Sequence, residues 1–311
     1  MRVLVTGGAG FIGRWVVKKL LDQGHDTWVL DNLSNGCEEN LAELKSHPNF
    51  KGFVNGDIRD RKPLSDLFEN RFDVCIHAAA QINVQHSLDD PSEDFEINVI
   101  GTYNVLQEAL KYKTKVVLLG TCMVYDLSKG KAISEEDPIK PKSPYAGSKV
   151  AAEALAESYH HALGLPIVIV RPFNTYGPYQ KSNMEGGVVS IFIKRSLRGE
   201  PLHIYGDGKQ TRDLLYVEDC ADFILRVAFS DKAVGQVINA GLGRDVSINE
   251  LAMMIAKDES MVKHIPHHHP QSEIPKLLCD YSKAKSLLGW GPKTSLEEGI
   301  EKTREWLKSH E

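Results

Sequence analysis

The segment Thr6–Gly13, TGGAGFIG, stands between an apolar run (Val3–Val5) and a helical pattern, FIGRWVVKKLLDQG. Gly7, Gly10 and Gly13 are spaced G-x-x-G-x-x-G. Glycines so placed allow a tight turn, close backbone approach to a pyrophosphate, and close helix–strand packing. The phosphates would then lie on the helix N-terminus, where unpaired N–H groups and the helix dipole favour negative charge. Glycine-rich turns are common punctuation by themselves, but here strand, turn and helix are all in place. Ile12, Val16 and Leu20 share one helical face, and Gly24 is the expected C-terminal cap.

The same alternation continues. Apolar runs at Val3–Val5, Thr27–Leu30, Gly52–Asn55, Asp73–His77, Lys115–Leu119, Ile167–Val170 and Val237–Ala240 are separated by helical patterns. This implies an α/β fold with a Rossmann-like, doubly wound parallel sheet of about seven strands, covered by helices on both faces. After Arg171 a long stretch rich in Gly, Pro and Asn, RPFNTYGPYQKSNMEGG, breaks the rhythm. A smaller C-terminal α/β substrate lobe is expected there. Residues 1–171 and 213–241 form the expected Rossmann domain, and 172–212 with 242–311 the lobe.

Composition narrows the function classes. The 311 residues carry a net charge of −5 with both signs interspersed, a poor match to nucleic acid or membrane surfaces. No apolar stretch reaches a membrane span, and the N-terminus enters a strand at once, so a cytoplasmic protein is expected. Cys37, Cys75, Cys122, Cys220 and Cys279 lack zinc or CxxC spacing and read as reduced thiols. No metal site is expected. The run His267–His269 reads as a solvated turn before Pro270, since no carboxylate or cysteine lies close to it in sequence.

Asp31 closes the second run about 20 residues beyond the turn, where a ribose-binding acid belongs. Its carboxylate can accept both ribose hydroxyls but repels a 2′-phosphate, and the following NLSNG supplies no arginine. NAD is therefore favoured over NADP. Asp57 and Ile58 follow the third run, where they can edge the adenine, although Asp57 can equally be a solvated turn acid.

In SPYAGSK (Ser143–Lys149), Tyr145 and Lys149 stand at i and i+4. On a helix their Cβ atoms lie roughly 5–6 Å apart. Ser143 as N-cap and Pro144 at the first helical position fit a helix start there. An ammonium beside a phenol lowers the phenol pKa from about 10, making Tyr145 a base near neutral pH.

Together, TGGAGFIG, DNLSNG, GDIRD, HAAAQ, Thr121 with its VY, YxxxK, RPFNTYGP and RDLLYVED resemble the extended short-chain dehydrogenase/reductase family. The likeness is to its NAD-dependent sugar-nucleotide epimerases and dehydratases, and it covers nearly the whole chain. It implies that Tyr145 removes the sugar 4-hydroxyl proton while hydride passes from C4 to NAD⁺. By the same resemblance Thr121 hydrogen-bonds that oxygen and Lys149 holds the nicotinamide ribose. The cofactor shell it implies also includes Phe11, Ile12, Asn32, Ala78, Ala80, Asn98 and Pro172. Asn174 matches a nucleotide-diphosphate ligand, Arg212 a phosphate fork and Glu273 a ribose acid, with Gln81, Met123, Val188 and Tyr205 completing the implied substrate shell. Where the family has a second phosphate arginine, this chain has Pro270.

The residues after Thr121 fit neither branch. Epimerases of this family usually carry small residues there, and dehydratases an Asp-Glu pair serving as acid and base. Here they are Cys122 and Met123. Methionine can shape an apolar pocket but moves no proton. A thiol, with an ordinary pKa near 8.5, can give and take one. The arrangement resembles the tunicamycin-type UDP-N-acetylglucosamine 5,6-dehydratase branch. It implies oxidation at C4 followed by loss of water across C5 and C6 of a UDP-sugar. The other reading makes Cys122 an apolar filler in a 4-epimerase, in keeping with HAAAQ and DNLSNG. A non-catalytic NAD-binding sensor or scaffold is the reading from a different class; the joint presence of Thr121, Tyr145 and Lys149 opposes it. The resemblance further implies a two-fold homodimer through the helices near Phe95–Leu110 and Tyr145–Leu163. Ala152, Leu155 and Tyr159 offer an apolar face for it, unless that face packs on its own sheet.

Overall fold

The computed structural model describes residues 1–126, 131–182, 187–256, 258–266 and 274–310. Its first six strands are β1 (Arg2–Thr6), β2 (Asp26–Asp31), β3 (Phe50–Asn55), β4 (Val74–His77), β5 (Lys115–Leu119) and β6 (Ile167–Pro172). Three more follow, β7 (Asn174–Tyr176), β8 (Leu202–Tyr205) and β9 (Thr211–Tyr216), and then β10 (Val237–Ala240). The last two are β11 (Asp245–Ser247) and β12 (Val262–Ile265). The main sheet runs β3-β2-β1-β4-β5-β6-β10, all pairs parallel. All seven apolar runs named in the sequence lie in it.

Its strands are apolar on both faces because both are covered. Val3 and Val5 face one core while Leu4 faces the other, and Val117 and Leu119 alternate with Val116 and Leu118 in the same way. The side chains are essentially solvent-free, each contributing about 1.5–3 kcal/mol of apolar burial. Helix Phe11–Asp22 buries Val16, Val17 and Leu20 against the first core. Gly24 follows at φ +77°, a left-handed position that suits glycine, and its N–H reaches Leu21 O at 2.9 Å.

Strand order reverses between β1 and β4. Connections leave β1 toward β2 and β3, and leave β4 toward β5, β6 and β10. In such sheets the carboxyl ends of the strands at the reversal part and open a crevice. The site forms there.

The C-terminal lobe contains two small sheets, β11-β9-β7 and β12-β8. Its core gathers Phe192, Ile193, Leu202, Leu214, Leu251 and Ile300. The segment from Asp213 does not return directly to the main sheet. β9 runs across the expected boundary at 212/213, pairs with β7 and β11, and only β10 rejoins the large sheet. Of the face Ala152–Leu155–Tyr159, Ala152 and Tyr159 are buried, and Leu155 and Tyr159 pack in the molecule's own second core. The Tyr159 hydroxyl accepts a hydrogen bond from Gln107 Nε2. The exposed apolar side chains nearby are Phe95, Ile100 and Leu163.

Candidate active site

A cleft of about 680 Å³ opens at the strand reversal, running from the glycine turn past Thr121 and Tyr145 to Arg212. At one end Gly7 sits at φ +72°, and a Cβ there would lie 2.6 Å from Ala79 N. A Cβ on Gly13 would meet Gly7 O at 2.0 Å, so turn and helix touch backbone to backbone. A Cβ on Gly10 would instead meet only Gly7 O, at 3.2 Å, and would otherwise occupy the space into which the helix N-terminus points. That cradle fits a dinucleotide diphosphate. Phe11 and Ile12 line it.

Asp31 ends β2 inside the same cleft. Its carboxylate accepts the N–H groups of Ala9 at 2.9 Å and Leu33 at 2.8 Å. Burial raises its pKa, opposed by the backbone donors of Leu33, Ala9 and Gly10. Asp57 lines the cleft beside Ile58, and it is also tightly paired: Arg59 donates to it at 3.0 and 2.8 Å and Asn32 Nδ2 at 2.8 Å. The Arg59 fork holds the Asp57 carboxyl down to about 2. Arg59 was not singled out in the sequence; its signal was its place two residues after Asp57. Ala78, Ala80 and Pro172 complete the wall. Asn98 does not line the cleft; it is buried behind it, its amide bonded to Gln81 and Ser148.

The catalytic candidates converge from two elements. Thr121 follows the end of β5 and caps the short turn Cys122–Val124, its Oγ accepting from Met123 N at 3.2 Å. Tyr145 and Lys149 lie on helix Pro144–Leu163, started by Ser143 Oγ capping Ala146 N–H at 3.2 Å. The Thr121 side chain stands beside the Tyr145 phenol in the cleft, close enough to draw its pKa down. The expected lowering of the phenol pKa is not seen in the protein alone. Burial pushes Tyr145 up to about 12, against the pull of Thr121. Burial also pushes Lys149 down to about 8, with only the Glu153 carboxylate opposing. A shared low-dielectric pocket disfavours both charges, so the ammonium cannot act at full strength.

Cys122 lines the cleft but is buried, packed among Val124, Tyr125, Phe173, Ile274 and Cys279. Burial pushes its thiol up to about 12. Among the substrate candidates, Gln81, Met123, Asn174 and Arg212 line the cleft. The Gln81 amide is committed to its own loop, donating to Asn83 O and Asp94 Oδ2 at 3.0 Å each. Asn174 Oδ1 is buried without a hydrogen-bond partner, an orphaned acceptor at the cleft. Arg212 Nη1 donates to Thr211 O and Ile274 O at 2.7 and 2.8 Å, which fixes the guanidinium at the cleft edge. Val188, the first residue of helix Val188–Arg198, and Tyr205, at the exposed end of β8, do not line it. Glu273, Pro270 and His267–His269 lie outside the described residues. Among the described residues no group of His, Cys, Asp or Glu converges as a metal site.

A nicotinamide-dependent sugar-nucleotide site of this geometry has counterparts among known proteins. Residues 3–241 match the NAD dependent epimerase/dehydratase family. A UDP-glucose 4-epimerase of Mycolicibacterium smegmatis is 38% identical over 312 residues, covering 99% of each chain. Among solved structures, Pal from Bacillus thuringiensis shares 57% identity and superposes with a TM-score of 0.98, with complete coverage of both chains. A dTDP-glucose 4,6-dehydratase of Streptomyces venezuelae, solved with NAD bound, shares 32% identity at a TM-score of 0.93, covering 99% of this chain and 97% of the other. The chain belongs to the NAD-dependent epimerase/dehydratase family and has its extended Rossmann-like fold. It is an NAD-dependent enzyme of sugar-nucleotide modification.

Proposed function

We propose that the protein oxidises the C4 hydroxyl of a UDP-sugar and then eliminates water across C5 and C6, with UDP-N-acetylglucosamine as the substrate. The observation that carries the first step is the convergence of Thr121, Tyr145 and Lys149 on one cleft, with Lys149 one turn beyond Tyr145 on the same helix. NAD, when bound, would accept the C4 hydride and return it after elimination, to C4 for a 5,6-unsaturated product or to C6 for a 6-deoxy-4-keto product. Tyr145 takes the hydroxyl proton, Thr121 holds the oxygen, and Lys149 supports the phenolate once its proton is retained. Asn174, through its amide N–H groups, and Arg212, through its guanidinium, grip the diphosphate.

A C4 ketone acidifies the C5 hydrogen, so elimination needs only a modest acid and base. No carboxylate follows Thr121. Cys122, protonated in its buried position, gives its proton to the departing C6 oxygen and takes up the C5 proton. C5–H and C6–O break, C5=C6 forms, water leaves, and the thiol ends as it began. The second reading, a 4-epimerase, is supported by the dense apolar surroundings of Cys122. NMR of the product after separate incubation with UDP-glucose and UDP-N-acetylglucosamine tests both. A 5,6-unsaturated or 6-deoxy-4-keto product supports elimination, and a C4-inverted sugar as sole product overturns it. A chain that reduced no bound NAD with either sugar nucleotide would fit the sensor reading instead. We also propose a two-fold homodimer through the helical region of Phe95 and Ile100.

A further inference from the structure

Behind the cleft wall, four buried residues and the half-buried Ala79 form a hydrogen-bond chain whose direction can be derived. Thr102 Oγ lies 2.6 Å from Asn98 O, and a carbonyl can only accept, so the Thr102 proton is spent there. Thr102 Oγ is also 3.0 Å from His77 Nε2 and must therefore accept from it. His77 is thus protonated at Nε2. Its other nitrogen, Nδ1, lies 2.7 Å from Thr6 Oγ and is the acceptor of that hydroxyl proton. Thr6 Oγ in turn accepts the N–H of Ala79 at 3.3 Å. The chain runs one way: Ala79 N–H, Thr6 hydroxyl, His77, Thr102 hydroxyl, Asn98 carbonyl. Thr6, His77, Asn98 and Thr102 are each at most 3% exposed.

The chain joins three pieces of the site. Thr6 is the last residue of β1, immediately before the glycine turn, and His77 is the last of β4, immediately before the Ala78–Ala80 wall. Asn98 stands in the middle of a π-helical stretch, Phe95–Gly101, and such wide turns often mark functional positions. From there the Asn98 amide donates to Ser148 Oγ at 2.9 Å, and Ser148 donates to the Tyr145 carbonyl at 2.9 Å. The same amide accepts the Gln81 N–H at 2.9 Å.

We propose that His77 is a positioning residue for Tyr145, acting as the neutral centre of this one-way chain between the glycine turn and the first turn of the catalytic helix. An imidazolium would donate at both nitrogens, leaving the Thr6 proton without its acceptor. Consistent with that, burial and the nearby Lys149 hold His77 down to about 3. The proposal rests on Tyr145 being the base of the first step.

The test uses the NAD-loaded enzyme with UDP-glucose and UDP-N-acetylglucosamine as probes, on Thr102→Val and Thr102→Ser. Valine keeps the shape but leaves His77 Nε2–H without its acceptor; serine keeps the hydroxyl. A misplaced base costs up to about 100-fold in rate, so kcat is expected to fall about 10- to 100-fold in Thr102→Val with KM nearly unchanged. Thr102→Ser is expected to recover most of it. Thr6→Val and Thr6→Ser probe the other side of His77 and serve if Thr102→Val fails to fold. His77→Phe combined with Thr102→Val should be no worse than either alone, as members of one chain are not additive. Unchanged kcat in folded Thr102→Val, or equal losses in the serine and valine variants, overturns the proposal. Tyr145→Phe, run beside them, separates the failures. If it is inactive while Thr102→Val is normal, only the His77 role falls; if it is active, the base assignment falls as well.

Discussion

Arg171 and Glu153 form a closed ion pair beneath Lys149: Arg171 Nη2 lies 2.7 Å from Glu153 Oε2, with both side chains about 5% exposed or less. Glu153 is one helical turn beyond Lys149 and is the charge that opposes its desolvation. Arg171 also donates to the Tyr125 hydroxyl at 2.9 Å, which passes its proton to Asn239 at 2.7 Å. Gly120 makes room for the pair, as a Cβ there would lie 2.1 Å from Glu153 Oε1.

Glu153→Gln should therefore act on both stability and protonation. Leaving Arg171 buried without its partner costs about 3–5 kcal/mol. Removing the carboxylate removes the influence that raises the Lys149 pKa, so that pKa falls further below about 8. The alkaline limb of C4 oxidation that reports the Lys149 proton should move to lower pH. A limb unmoved in a folded variant would detach Glu153 from the tuning of Lys149.

The cofactor preference rests on Asp31. Its carboxylate sits in the cleft with no arginine on the NLSNG segment, and Arg59 is already committed to Asp57. The native protein should bind NAD(H) far more tightly than NADP(H), and Asp31→Ala should narrow the gap. Because Asp31 also ties down Ala9 and Leu33, the variant should lose affinity for both cofactors. Calorimetric titration with each cofactor measures it, and equal native affinities would refute the assignment.

Phe95 and Ile100 are 55% and 40% exposed on the helical run beside the catalytic helix. Exposed apolar side chains on one helical run are what a self-complementary helix interface would bury. Light scattering at micromolar concentration should give twice the chain mass, and Phe95→Glu should shift it toward the monomer. A clean monomer mass for the native protein would dismiss the homodimer.

What the sequence disclosed follows from periodicity. The inner strands of the main sheet are apolar on both faces and bounded by turn residues, so each stands out as a run, and the edge strand β3 shows as a shorter one. β7 and β11 have three residues each, and β7 is separated from β6 by Phe173 alone, too little for any alternation to register. The π-helical stretch around Asn98 was hidden because its buried residues, Asn98 and Gly101, are not apolar, while its large apolar residues Phe95 and Ile100 are exposed. Thr121, Tyr145 and Lys149 were legible from spacing and resemblance. His77 read only as the end of a strand, since its partners Thr6 and Thr102 are 71 and 25 residues away in sequence. The pKa values were not legible at all: burial sets them, and burial is a property of the fold.

Cys122 divides the two reactions. Its thiol follows Thr121 directly, yet it is packed against Phe173 and Cys279 and pushed up to about 12. If it moves the protons of elimination, Cys122→Ala should still oxidise C4, because Thr121, Tyr145 and Lys149 remain. Bound NADH should then accumulate, visible by its absorbance, while dehydration falls by roughly 10²–10⁴, the usual loss for a general acid–base group. Cys122→Ser should be similarly impaired, since a hydroxyl is a far weaker acid than even a buried thiol. Tyr145→Phe should block the first step and give no NADH signal. If Cys122 is a filler in a 4-epimerase, both Cys122 variants should turn over at near-native rates and interconvert C4 epimers. Native-like turnover of Cys122→Ala, with C4-inverted sugar as the only product, would end the dehydratase reading and leave the apolar surroundings of Cys122 as its whole explanation.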